Sequence, residues 1–94
     1  RTTVLAPSGV SQTNPPQFRW QSVDDAATYI IQVNRLNGSS NQKVFEVSGL
    51  TSTTWTPTAP LNAGSYRTWV RVVSGSGVLS PWSNPLDFSI PVLS

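Results

Sequence analysis

The chain has 94 residues, with six Lys and Arg against four Asp and Glu, and it contains no Cys or His. That length suits one domain with a single core, and the two missing residue types exclude disulfides, thiol chemistry, the usual general base and the usual zinc ligand. A net charge of +2 spread along the chain gives no clustered basic face for nucleic acid, and no run reaches the roughly 18 apolar residues of a membrane span.

Four Trp, three Phe and two Tyr supply core material, while Ser and Thr make up about a quarter of the chain and charged residues only 11%. The balance is that of a secreted β-protein rather than a disordered tail. The chain starts at Arg1 with no initiator Met, and we read all 94 residues as one domain, with its core over about residues 7–91, taken from a longer secreted or cell-surface protein.

Taken in order, Val4 and Leu5 form a short first strand stopped by Pro7, Ser8 and Gly9. Val10 to Thr13 is expected to re-enter a sheet at its edge, and Asn14-Pro15-Pro16 then forbids regular pairing because two successive prolines lack donors. Gln17 to Val23 alternates, with Phe18, Trp20 and Ser22 on one face and Trp20 as core anchor. Thr28 to Leu36 places Tyr29, Ile31 and Val33 inward and Ile30, Gln32 and Asn34 outward. Asn37-Gly38 reads as a hairpin turn, lengthened by Ser39, Ser40 and Asn41. A fourth strand over Lys43 to Val47 is ended by Ser48-Gly49, and Thr51 to Thr56 carries Trp55 before Pro57 and Pro60.

Leu61 to Ser83 is the stretch around which the chain is organised. A Gly-containing corner delivers Tyr66, and a run with period two follows: Tyr66, Thr68, Val70 and Val72 face the core, while Arg67, Trp69 and Arg71 face away. A Gly/Ser loop leads to Ser80-Pro81-Trp82-Ser83, and Leu86, Phe88 and Ile90 share one face of the last strand. Seven short strands between turn signals, with no helical periodicity, predict an all-β antiparallel sandwich of immunoglobulin-like form.

The order Phe18-x-Trp20, Tyr29-x-Ile31-x-Val33, Leu61…Gly64-Ser65-Tyr66-x-x-x-Val70-x-Val72 and Ser80-Pro81-Trp82-Ser83 resembles a fibronectin type III domain over nearly the whole chain. Two departures stand out: Ala63 occupies a position where the family usually has Pro, and the Leu61–Tyr66 spacing is one residue shorter than its commonest form. The resemblance implies the family's seven-stranded topology, with Trp20, Tyr29, Leu61, Tyr66 and Val70 as structural core. It also implies a non-enzymatic module that spaces, orients or links neighbouring domains of its own chain. The Pro-rich lead into Phe18 is similar to variants found in large secreted bacterial proteins. No Arg-Gly-Asp tripeptide is present, so the integrin-binding role of some members does not follow.

Among chemistry-bearing residues, the acids Asp24, Asp25, Glu46 and Asp87 are scattered. Asp24 and Asp25 sit in one turn and read as solvated rather than as a glycosidase pair or a calcium site. Ser and Thr lack an activating base. The expectation is therefore no enzyme, no metal and no cofactor. Arg67, Trp69 and Arg71 with Trp82 form the candidate surface, because guanidinium planes stack on indole faces. Trp82-Ser83 is similar to the second half of the Trp-Ser-x-Trp-Ser motif of cytokine receptors, whose Trp residues stack on strand arginines. Self-stacking is the first reading of this face. A polysaccharide-binding accessory role, or contact with a protein ligand or neighbouring domain, is the alternative. Asn37-Gly38-Ser39 matches a glycosylation sequon, which the hairpin explains without a glycan. A monomer is expected in isolation.

Overall fold

The computed structural model describes residues 2–11, 14–24, 26–37 and 40–91. Eight strands follow in chain order: β1 (Val4–Ala6), β2 (Gly9–Val10), β3 (Phe18–Trp20), β4 (Ala26–Asn37), β5 (Ser40–Leu50), β6 (Thr54–Trp55), β7 (Gly64–Ser74) and β8 (Leu86–Ile90). They form a three-stranded sheet ordered β1-β3-β6 and a five-stranded sheet ordered β2-β8-β7-β4-β5. Side chains from both sheets join one hydrophobic core containing Val4, Phe18, Trp20, Tyr29, Ile31, Val33, Tyr66, Val70 and Phe88. Two sheets sharing one interior make a β-sandwich.

The architecture departs from a seven-stranded, wholly antiparallel sandwich in one respect. The first strand is split: β1 pairs antiparallel with β3, whereas β2 pairs parallel with β8. The chain crosses between sheets over Pro7 and Ser8 without reversing direction, so it meets β8 running the same way, and Gly9 takes φ +62 at the re-entry. Ser11 N–H donates to the Ser89 carbonyl at 2.9 Å and extends that edge contact.

Several boundaries also move: β4 lengthens to Ala26–Asn37, and the expected Thr51–Thr56 strand shortens to Thr54–Trp55. The second strand narrows to Phe18–Trp20, and Ser22 is exposed rather than inward. β5 runs past Ser48 to Leu50 because Gly49, at φ +76, sits where the β4–β5 register shifts between Tyr29↔Leu50 and Ile31↔Val47. A glycine at positive φ is what such a bulge needs. Pairing at the other end continues to Asn37↔Ser40, so Ser40 and Asn41 belong to β5 and do not lengthen the loop. Gly38, Ser39 and Asp25 lie outside the described residues, and with them the details of the Asn-Gly turn, the sequon and the paired-Asp calcium reading.

The corner before β7 is held from several sides. Tyr66 O–H donates to the Asn62 carbonyl at 2.5 Å, and its buried ring stacks on Phe88 with centroids 5.3 Å apart. A tyrosine hydroxyl returning to the backbone a few residues upstream fixes the crossing between sheets. Arg35 places its guanidinium 6.0 Å from the Tyr66 ring and donates to the Ala63 carbonyl at 2.9 Å. Half-buried Leu61 is gripped by the Asn14 amide, which accepts from its N–H at 2.8 Å and donates to its carbonyl at 2.9 Å.

Candidate functional site

The site is built on β7, whose alternation is regular from Ser65 to Val73. Tyr66, Thr68, Val70 and Val72 are buried, while Arg67, Trp69 and Arg71 line the outer face and are partly exposed. Thr68 tolerates complete burial because its hydroxyl donates to the Gln32 carbonyl at 3.0 Å.

β8 covers the edge of β7 only from Gly64↔Ile90 to Thr68↔Leu86. Beyond that point the buried backbone of Val70 and Val72 needs other partners, and the loop from Leu79 to Ser83 supplies them. Ser83 N–H donates to the Val70 carbonyl at 2.8 Å, and Val70 N–H donates to Ser83 Oγ at 3.0 Å. Ser80 repeats the arrangement with Val72, its N–H reaching the carbonyl at 2.9 Å and its Oγ accepting at 2.9 Å. Each serine hydroxyl thus takes the place of a strand carbonyl. Between these two pairs Arg71 alone faces Pro81 and Trp82, so the loop bulges outward there, and Pro81 has no N–H to leave unpaired.

The bulge sets Trp82 over the outer face. Arg71 donates twice to the Ser80 carbonyl, from Nε at 3.0 Å and from a terminal nitrogen at 2.8 Å. Its guanidinium lies 4.7 Å from the centre of the Trp82 ring. Trp69, directly across from Gln32 on β4, joins Trp82 and Gln32 in lining a surface cleft of about 150 Å³.

Arg67 does not share in this stack. It holds Asp87 on β8 through two hydrogen bonds, Nε to Oδ1 at 2.7 Å and a terminal nitrogen to Oδ2 at 3.0 Å. The hydrogen bond to Asp87, with its charge, raises the Arg67 pKa further, and the reciprocal bond holds the Asp87 carboxyl below the usual aspartate value. The four-residue surface expected from the sequence is therefore two units: Trp69, Arg71 and Trp82 around the cleft, and an Arg67–Asp87 ion pair beside it. The sequence reading missed Gln32 in the cleft wall, Asp87 as the partner of Arg67, and Ser80 and Ser83 as backbone acceptors. Serines flanking a Pro-Trp pair opposite buried strand amides were the available signal.

A larger depression of about 310 Å³ crosses the outer face towards Gly9, Leu36 and Ser65. It offers no ring face, since Tyr66 and Phe88 at its base are buried. Glu46 is 3.9 Å from Lys43, Asp24 is exposed, and no group of three or more potential metal ligands occurs among the described residues.

No protein-family model matches the sequence, and no curated protein matches it. The fold does match a solved structure, that of a Fn3-like protein from Clostridium thermocellum, with a TM-score of 0.67. The two share 24% sequence identity, and the alignment covers 93% of this chain and 90% of the other. That likeness shows the fold: the chain adopts a fibronectin type III-like fold.

Proposed function

We infer that the chain is a non-catalytic linking module of a larger secreted or cell-surface protein, monomeric by itself, which holds neighbouring domains at a fixed separation. The observation that carries this reading is where the two ends of the fold emerge. Thr2 to Val4 lie beside Asn84 to Leu86, at the start of β8, whereas Ile90 closes β8 beside Gly64 at the corner. Entry and exit are thus separated by the length of β8, about 13–17 Å at roughly 3.3 Å per residue, along the strand direction. Domains attached at opposite ends of a sandwich are arranged in series. The tyrosine corner and the serine-held loop fix β7, on which β8 pairs. Fibronectin type III-like domains are typically non-catalytic, which agrees with the dispersed acids.

Exchange of this domain within its parent chain for an unrelated sandwich of equal length, beside a deletion, tests the reading. Full activity of the exchanged protein with impaired activity of the deletion is the expected result. Equal loss in both would show that the domain supplies more than spacing.

A further inference from the structure

We propose that the cleft between Trp69 and Trp82 binds one ring of a neutral polysaccharide, a role beyond linking and independent of it. Two indoles and an amide line the cleft and combine the apolar surface and the polar group that a pyranose requires. The C–H face of the sugar packs on an electron-rich ring and releases water from both, while its equatorial hydroxyls need partners at the edge.

The polar wall has a defined sense. Gln32 Nε2 donates to Asn34 Oδ1 at 3.0 Å, and Asn34 Nδ2 donates to Asn41 Oδ1 at 3.4 Å. The three amides point one way and leave Gln32 Oε1 at the head of the row, accepting nothing among the described residues. Glu46 stands directly across from Gln32 on the next strand, about 5 Å away, so Gln32 Oε1 and the Glu46 carboxylate are the acceptors on this side of the cleft. Sugar hydroxyls donate to such groups. A proline-rich peptide, the other common occupant of an aromatic slot, has no N–H on its prolines and would leave Gln32 Oε1 and the Glu46 carboxylate without donors.

The cations around the cleft already have partners. Arg67 is bound by Asp87, Arg71 by the Ser80 carbonyl and the Trp82 ring, and Lys43 lies 3.9 Å from Glu46. Arg67 and Lys43 are already paired with carboxylates and the Nε edge of Arg71 is taken by the Ser80 carbonyl, so a uronate or sulfate group gains less from these cations than from free ones.

The test is a titration of the protein with gluco-, xylo-, manno- and chito-oligosaccharides, oligogalacturonate and a proline-rich peptide, followed by NMR of the indole N–H signals. The expected result is binding of at least one neutral oligosaccharide, with shifts at Trp69 and Trp82 but not at buried Trp20, and an affinity unchanged by added salt. Trp69→Leu and Gln32→Met each weaken that binding about tenfold or more, with far-UV circular dichroism unchanged. Gln32→Met keeps side-chain length, so it decides the matter alone if Trp69→Leu does not fold. Absence of binding to every neutral oligosaccharide overturns the proposal, as does binding confined to oligogalacturonate or the peptide, or full affinity in Gln32→Met.

Discussion

Replacing Ser83 by Ala removes one oxygen from an interior in which that oxygen does the work of a strand carbonyl. The Val70 amide, on a fully buried residue, donates to Ser83 Oγ at 3.0 Å, and Ser83 is only 4% exposed. Alanine leaves that N–H without an acceptor and too little room for water to replace it. A buried donor stranded in this way costs about 1–3 kcal/mol. Taking about 2 kcal/mol, and about 4–8 °C per kcal/mol for a domain of this size, Ser83→Ala lowers Tm by roughly 8–16 °C. Ser80 plays the same part for Val72 but is half-buried, so water can partly satisfy the freed amide, and Ser80→Ala costs about 1 kcal/mol. Ser76 is exposed and its hydroxyl meets only that of Ser74, so Ser76→Ala stays within about 0.5 kcal/mol of wild type. Thermal and urea unfolding, followed by circular dichroism, give the three values. The order Ser83, Ser80, Ser76 is the prediction. Equal Tm values for Ser83→Ala and Ser76→Ala would refute the idea that the hydroxyls complete the ladder of β7.

The remaining predictions concern the corner and the outer face. Tyr66→Phe leaves the Asn62 carbonyl without its donor and lowers stability by about 1–2 kcal/mol, measured by urea unfolding. Gly64 has φ +151, and a Cβ there would come within 3.0 Å of the Arg35 guanidinium that holds the Ala63 carbonyl. Gly64→Ala therefore costs about 1–3 kcal/mol in the same assay. Trp82→Ala removes the ring stacked on Arg71 and costs about 1 kcal/mol in thermal unfolding, while Arg71 keeps its bonds to the Ser80 carbonyl. Asp87 has a lowered pKa in the fold, so its stabilising contribution is complete above the unfolded value of about 3.9 and disappears as pH falls through the folded value. The Tm difference between wild type and Asp87→Asn is small, widest near neutral pH and closed in acid, and molar salt reduces it because the pair is exposed.

Legibility in the sequence followed the range of the interactions. The period of two in β7 names its inward and outward sides because nothing but backbone geometry is needed. The Tyr66 corner is readable for a similar reason, since its hydroxyl reaches back only four residues. Asn34 shows where local pattern fails. Its outward position suggests solvent, yet it is buried because Gln32 and Asn41 close over it at a register shift in β4–β5. The parallel β2–β8 contact and the Arg67–Asp87 pair depend on which distant segments meet, and composition carries no record of that. Ser80 and Ser83 are ordinary loop residues by type, and only the end of β8 pairing at Leu86 gives their hydroxyls a task. The candidate cleft was half visible: Trp69 and Trp82 stand out as aromatic residues, whereas Gln32 enters only through its register with Trp69.

Both the stacked guanidinium and the cleft depend on the Leu79–Ser83 segment being a fixed part of the sheet. Amide hydrogen exchange of the wild-type protein tests this most directly. Val70 and Val72 should exchange as slowly as Ile31, in the centre of β4, through global unfolding alone. Exchange of these two amides on the timescale of the exposed loop at Gly75 and Ser76, with Ile31 still protected, would contradict the account.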